Sequence, residues 1–260
     1  MTDHLQLVRE DDIAWLVLNR PEKRNAINLE MWEAFPEVLR EVEDTADIKV
    51  LVLRGADHRA FSAGADISEF ETLRSTEEGA RAYNEVGERA ETALMHLSKP
   101  TIAMVQGPAV GGGCGLTLSC DLRYGDPTSR FGITPAKLGL VYSLAATKNL
   151  VDVVGPAHAK SILFSGQQID ATRAREIGLV NDVIPADEIE GFTRDLAHTI
   201  ASRAQYSVRA TKRITRLILD GHAEDTEESA HLRLSSFGTE DYREGVKAFM
   251  EKRAPRFTYS

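Results

Sequence analysis

The chain contains AFSAGAD at residues 60–66 and GPAVGGG at residues 107–113, two turns built mainly from small side chains. Each turn follows an apolar, strand-forming run and precedes a predicted helix. Because small residues leave the backbone accessible, each turn can present an N–H group to an anion. Two such N–H groups directed at one oxygen atom form an oxyanion hole. The sequence therefore predicts a site that stabilises a negatively charged oxygen with backbone donors.

The segments around these turns predict an α/β fold. Residues 5–9 and 13–18 have strand character and are separated by a polar turn, which predicts a hairpin. Asn28 is suited to be the N-cap of a helix, and residues 77–98 form a second predicted helix. Buried strands are expected at 49–53 and 101–105. Repeated strand, turn and helix units favour a spiral of ββα units over a dinucleotide-binding sheet.

The last part of the sequence is almost wholly helical. Apolar residues recur at helical spacing at Ile189, Phe192, Leu196 and Ile200. We therefore expect two regions, a core of residues 1–195 that carries the site and a C-terminal helical region of residues 196–260.

Composition limits the function further. The 260 residues carry a net charge of −9, which argues against a nucleic-acid partner. The N-terminus lacks the pattern of a signal peptide, and no apolar run is long enough to span a membrane, so a cytoplasmic location is expected. The two cysteines, Cys114 and Cys120, lie in apolar surroundings without metal-ligand spacing, so no metal site is predicted.

Six landmarks occur in an order typical of one family. They are LNRPEKRNA at 18–26, the two turns, CDLR at 120–123, KLGL at 137–140 and EIGLVN at 176–181. In these segments the chain resembles the crotonase superfamily, also called the enoyl-CoA hydratase/isomerase family. The resemblance implies a spiral of ββα units with a C-terminal helical trimerisation region. It also implies an enzyme that binds an acyl-CoA thioester and stabilises its enolate.

The resemblance assigns roles to individual residues. The oxyanion-hole donors are the backbone N–H groups of Ala63 and Gly112. The residues expected near coenzyme A are Lys23, Ala65, Asp66 and Ile67, together with Phe249 and Lys252, which would reach the coenzyme A of a neighbouring subunit. Coenzyme A enters as part of the substrate, and no separate cofactor is implied. The implied assembly is a homotrimer or a dimer of trimers.

Two of these assignments have structural alternatives from the residues alone. Asp66 lies where an acidic side chain commonly caps a helix. The basic terminus around Phe249 and Lys252 would also complement a helix dipole.

Two positions depart from the hydratase pattern. The family's two catalytic glutamates align with Gly115 and Pro135, and neither residue has a titratable side chain. Because hydration requires groups that activate water and transfer a proton, we expect a poor hydratase. Decarboxylation of a malonyl-type thioester needs the oxyanion hole but no base. The sequence therefore favours a decarboxylase-like acyl-CoA lyase.

The central and C-terminal segments, residues 133–144 and 240–249, resemble methylmalonyl-CoA decarboxylase-like members. By this analogy Tyr142 would orient the departing carboxylate, although it is equally suited to be a packing residue. The analogy is incomplete, since those members carry a His at the position of Ala65 and a Glu at the position of Gly115.

Two other functions stay open. The first is an enoyl-CoA hydratase/isomerase of fatty-acid metabolism in which another carboxylate has taken over, with Glu69, Glu85, Glu88 and Asp121 as candidates. The second is a CoA-binding homologue without catalytic activity.

Overall fold

The computed structural model describes residues 2–258. Met1 and residues 259–260, at the outer ends of the two predicted regions, lie outside the described residues. The predicted hairpin is confirmed, with β1 at Leu5–Glu10 antiparallel to β2 at Ile13–Leu18. The turn between them includes Asp11 at φ +51°.

A six-stranded sheet forms the centre of the fold. It contains β1, β2, β3 (Val50–Gly55), β4 (Thr101–Val105), β6 (Leu122–Gly125) and β9 (Asp182–Val183), in the order β1-β2-β3-β4-β6-β9. Every neighbouring pair after the hairpin is parallel. A second sheet has the order β5-β7-β8, with β5 at Pro108–Val110, β7 at Arg130–Gly132 and β8 at Ile169–Asp170.

Ten α-helices connect and cover these sheets within residues 2–258. They are α1 (Leu29–Asp44), α2 (Phe70–Leu73), α3 (Glu77–His96), α4 (Gly112–Ser119), α5 (Leu144–Ser165), α6 (Ala171–Glu176), α7 (Ile189–Ala201), α8 (Gln205–Leu219), α9 (Glu227–Ser236) and α10 (Glu240–Met250). Asn28 caps α1 as predicted, since its side chain accepts a hydrogen bond from Met31 N at 3.1 Å. This is the α/β arrangement expected from the sequence.

Both faces of the large sheet are covered. Along β2, Ala14, Leu16 and Leu18 face the larger core under α1 and α3, while Ile13, Trp15 and Val17 face a smaller core under α7. This follows from the alternation of side chains along a strand. Parallel sheets are typically covered on both faces in this way.

The predicted boundary at residues 195 and 196 falls inside α7. This helix packs on the sheet through Ile189 and Ala197, which belong to the smaller core, with Ile200 packed against them. Helix α7 therefore belongs to the core as a whole. The helices outside the core begin with α8 at Gln205.

Candidate active site

The two small-residue turns lie side by side. Ser62 N donates to Pro108 O at 3.0 Å, and Val110 N donates to Ser62 O at 3.0 Å. Ser62 Oγ in turn donates to Asn25 O at 2.8 Å. The backbone of residues 60–66 is thus held between residues 24–27 on one side and β5 on the other.

Close approach of the two turns requires glycine at two positions. Gly64 has φ +93°, and a Cβ there would lie 2.6 Å from Val110 O. A Cβ at Gly113 would lie 2.7 Å from Ser62 Cβ. Both distances are shorter than a carbon atom tolerates, so any side chain would force the two turns apart.

Ala63 is not available as an oxyanion donor. Its backbone N–H donates to Arg24 O at 3.0 Å, and the residue is exposed. The assignment of Ala63 from the sequence is therefore wrong. Between Ala63 and Ala65 the chain turns at Gly64, so the two N–H groups face different surroundings.

Ala65 and Gly112 supply the free donors instead. Among residues 2–258, neither backbone N–H donates to a protein acceptor. Gly112 is the first residue of α4, so its N–H has no acceptor within the helix. Ala65 N lies 3.9 Å from the position of a Cβ on Gly112. The two unpaired donors are therefore neighbours in space, and neighbouring donors directed at one point can bind one oxygen atom.

A cavity of about 260 Å³ opens beside these donors. Its walls are α1, one face of α3, the start of α4 and the segment before α5. The lining residues are Trp32, Ala65, Arg74, Tyr83, Asn84, Gly87, Glu88, Glu91, Gly112, Leu140, Val141, Tyr142, Ser143 and Ala146. A groove of about 510 Å³ lies elsewhere, between α8 and the core, and of the residues predicted as catalytic or CoA-binding it contains only the alternative carboxylate Asp121.

One carboxylate of this cavity was not predicted from the sequence. Glu91 on α3 is half-buried, and its Oε1 would lie 2.2 Å from a Cβ placed on Gly115. Its carboxylate thus occupies the space in which a longer residue at 115 would begin. Burial, together with the nearby charge of Glu88, raises the pKa of Glu91 to about 7.

The four carboxylates named from the sequence have other positions. Glu69 Oε2 accepts from Leu29 N at 2.9 Å, which places it at the start of α1. Asp121 accepts from Thr101 N and forms an ion pair with Lys212 at 2.8 Å. Glu85 is exposed and does not line the cavity, whereas Glu88 is exposed and lines it. None of the four is both half-buried and part of the cavity lining, as Glu91 is.

Tyr142 lines the cavity as the sequence suggested, and it also packs against the larger core. Burial raises its pKa, with the negative charge of Glu91 acting in the same direction. Its hydroxyl therefore stays protonated through the neutral pH range. Both the packing role and a role toward substrate are compatible with this position.

Asp66 has the structural role that its position suggested. Its side chain accepts from Ser68 N at 3.1 Å, from Ser68 Oγ at 2.6 Å and from Arg20 at 3.0 Å. The hydrogen bonds from Ser68 and Arg20 lower its pKa. It caps the short helical turn that follows, and its carboxylate is engaged by these hydrogen bonds.

The other residues predicted to bind coenzyme A do not line the cavity. Lys23 and Ile67 are exposed near the first turn, with Ile67 at 59%. Phe249 lies at the end of α10 and is 81% exposed, and Lys252 follows it. The structure thus brings Ala65, Gly112 and Tyr142 together and leaves Phe249 and Lys252 apart from them within one chain.

The described part of the chain contains no group of three or more His, Cys, Asp or Glu residues that could hold a metal ion. No helix among residues 2–258 is long and apolar enough to cross a membrane. Both cysteines are buried thiols, and burial raises the pKa of each to about 12.

Known proteins share this sequence and fold. The enoyl-CoA hydratase/isomerase family model matches residues 9–260. A short-chain-enoyl-CoA hydratase of Clostridium acetobutylicum is 34% identical over 251 residues, covering 95% of this chain and 94% of that protein. A methylmalonyl-CoA decarboxylase of Escherichia coli is 30% identical over 258 residues, covering 98% of this chain and 97% of that protein.

A solved structure supports the same assignment. An enoyl-CoA hydratase/isomerase family protein from Hyphomonas neptunium superposes with a TM-score of 0.96 at 40% identity, covering 99% of this chain and 98% of that one. The match includes the core, both turns and the C-terminal helices. The chain belongs to the enoyl-CoA hydratase/isomerase family.

Proposed function

We propose that this protein binds an acyl-CoA thioester beside α3 and α4 and stabilises its enolate with the N–H groups of Ala65 and Gly112. The observation that carries this proposal is the pair of neighbouring backbone donors without a protein acceptor, at the wall of a cavity. When a thioester loses a proton or a carboxylate from its α-carbon, negative charge develops on the carbonyl oxygen. Preformed donors at that oxygen lower the barrier without reorganisation.

The reaction that we propose is enoyl-CoA chemistry, hydration or double-bond isomerisation. The argument for a base-free reaction depends on the absence of a carboxylate, and Gly115 and Pro135 indeed provide none. Glu91, however, places a carboxylate in the cavity from helix α3. The hydratase among the relatives described above supports the same reaction class.

A decarboxylase-like lyase is the second candidate. It is favoured by Pro135, by Tyr142 at the cavity and by the 30% identical methylmalonyl-CoA decarboxylase. An ionised Glu91 opposes it, because a malonyl-type substrate would bring a second carboxylate into the same cavity. Tyr142 would then have to orient that carboxylate against this repulsion.

We further propose that coenzyme A is part of the substrate and that the enzyme works as a homotrimer or a dimer of trimers. The position of Phe249, exposed at the end of α10 and outside the cavity of its own chain, suits a contact with a neighbouring subunit. Lys252 follows it and would supply positive charge. Lys23 and Ile67 are exposed beside the first turn, where the nucleotide end of coenzyme A would pass.

The test is a parallel assay of the purified protein with crotonyl-CoA, a 3-enoyl-CoA and methylmalonyl-CoA. We expect conversion of an enoyl-CoA without release of CO₂ from methylmalonyl-CoA. Release of CO₂ alone would favour the lyase. Tight binding of all three thioesters without turnover would instead identify a non-catalytic CoA-binding protein.

A further inference from the structure

We propose that Glu91 is the catalytic acid/base residue of this enzyme and that it carries the migrating proton of a double-bond shift in a 3-enoyl-CoA. This inference rests on the acyl-CoA function proposed above. It adds the residue that moves the proton and selects one reaction within the family.

The first argument is the position of the side chain. Glu91 is on α3, but its carboxylate reaches the neighbouring helix α4, where a Cβ on Gly115 would lie only 2.2 Å from Oε1. The free donor Gly112 is on that same helix, one turn before Gly115. Glu91 and Gly112 line one cavity with Tyr142. An acyl group whose carbonyl oxygen is held at Gly112 would therefore lie beside Glu91.

The second argument is that this carboxylate has no structural partner. Within residues 2–258 it accepts no hydrogen bond and forms no ion pair, unlike Glu69 and Asp121. The cation at this cavity is Arg74, whose guanidinium instead stacks 4.3 Å from the Phe70 ring centre. A half-buried acid that supports neither a helix end nor an ion pair is free to exchange protons with a ligand.

The third argument concerns the charged state. Desolvation raises the pKa of Glu91 to about 7, and repulsion from Glu88 on the same helix acts in the same direction. The other groups that face it, Tyr142 and Cys114, remain neutral at this pH because burial raises their pKa values. A base whose pKa is close to the working pH can both accept and return a proton.

The chemical step needs this one group. A Glu91 oxygen removes a proton from C2 of the 3-enoyl thioester, and the C–H electrons form a C1=C2 bond as the carbonyl oxygen becomes an enolate. The same Glu91 oxygen then delivers that proton to C4. The C3=C4 pair forms the new C–H bond, the C1=C2 pair becomes C2=C3, and the carbonyl is restored.

Hydration would require more than this. A water molecule must be activated in addition to the proton transfer at C2, and two groups usually share that work. Gly115 and Pro135 supply no side chain for it, and Glu88 is exposed at the cavity edge. A single inner carboxylate therefore favours isomerisation.

The experiment measures isomerisation of 3-hexenoyl-CoA and hydration of crotonyl-CoA by the wild type, Glu91→Gln, Glu88→Gln and Glu85→Gln. Glu85→Gln is the matched control, because Glu85 is on α3 but does not line the cavity. We expect Glu91→Gln to lower kcat for isomerisation by about 10²–10⁴-fold. Its KM should stay close to that of Glu85→Gln, and its thermal unfolding temperature should not fall below that of Glu85→Gln.

A pH profile separates proton transfer from a packing effect. Wild-type kcat/KM should fall below a pH of about 7 as Glu91 becomes protonated. Glu88→Gln removes the repulsion and should move this acid limb to lower pH, which a purely structural role for Glu91 would not produce.

The outcomes distinguish the two proposals. A wild type that converts neither enoyl-CoA refutes the proposed function itself. A wild type that isomerises 3-hexenoyl-CoA, with Glu91→Gln within about threefold of Glu85→Gln, refutes only the role of Glu91. A wild type that hydrates but does not isomerise refutes the single-carboxylate reaction.

Discussion

The carboxylate of Glu91 on α3 occupies the space that a side chain at Gly115 on α4 would need. A Cβ on Gly115 would lie 2.2 Å from Oε1 and 3.1 Å from Cδ of Glu91. The glycine is therefore what allows the carboxylate to reach the cavity wall. Two positions that are 24 residues apart in the chain together determine one functional group.

Gly115→Ala should lower the activity with little effect on stability. The clashing atoms are the end of a flexible side chain, so Glu91 can rotate away, and alanine in a helix gains about 0.5–1 kcal/mol over glycine. We expect little change in thermal unfolding and a large loss of enoyl-CoA turnover. Gly191→Ala on α7 is the matched control, because its Cβ would meet nothing within 4 Å. Equal activity of the two variants would contradict the expected displacement of Glu91.

Glu91→Gln should stabilise the fold at alkaline pH. The folded-state pKa of about 7 lies above the ordinary 4.5, so the folded protein holds this proton more tightly than the unfolded chain does. The contribution of this proton to the free energy of unfolding is fully present below pH 4.5 and is lost as the pH rises through 7.

The variant does not ionise at this position, so its advantage over the wild type should be near zero at pH 4 and should reach about 3 kcal/mol above pH 7. Denaturant unfolding at both pH values measures this difference. A variant that is less stable than the wild type at pH 8 would show that Glu91 has a structural role.

Gly112→Ala should disturb the pair of donors. The new Cβ would lie 2.9 Å from Trp32 Cζ2, so the start of α4 must shift and carry its N–H away from Ala65. Loss of one oxyanion donor typically lowers kcat by about 10²–10³-fold.

Trp32→Phe shortens the ring that causes this collision. The double variant Trp32→Phe/Gly112→Ala should therefore recover part of the activity relative to Gly112→Ala, with Trp32→Phe alone as the reference. A single Gly112→Ala variant with unchanged kcat would exclude the N–H of Gly112 from catalysis.

Asp66 should affect stability more than chemistry. Asp66→Ala removes the acceptor for both Ser68 donors and for Arg20, at a cost of about 1–2 kcal/mol. Asp66→Asn keeps an acceptor oxygen and should lose less. Thermal unfolding and kcat are measured together for both variants. A large loss of kcat in Asp66→Asn with unchanged unfolding would assign Asp66 to proton transfer instead.

Local patterns in the sequence predicted much of the fold. The hairpin β1–β2 follows from two strand-forming runs around a polar turn, and the start of α1 follows from the capping ability of Asn28. No such signal predicts helix α5, because its apolar residues form no single stripe and Gly155 at φ +76° interrupts it. Elements with strong periodicity or clear caps are the ones that sequence alone identifies.

The site was predicted less completely, for two physical reasons. The choice between Ala63 and Ala65 depends on the direction of each N–H group, which the left-handed turn at Gly64 changes. Glu91 acts through the packing of α3 against α4, which is a tertiary contact. Its only local signal is a charged residue between the buried positions Ala90 and Leu94 of α3.

The shared wall of α3 and α4 changes how the absence of a motif residue should be understood. An inventory of motif positions would class this chain as a pseudoenzyme, because glycine and proline stand where glutamates are expected. Yet either of two adjacent helices can deliver an acid to the same point of the cavity. A chain that lacks the acid on α4 can therefore still hold an acid at that point by carrying it on α3, with the glycine leaving room for it.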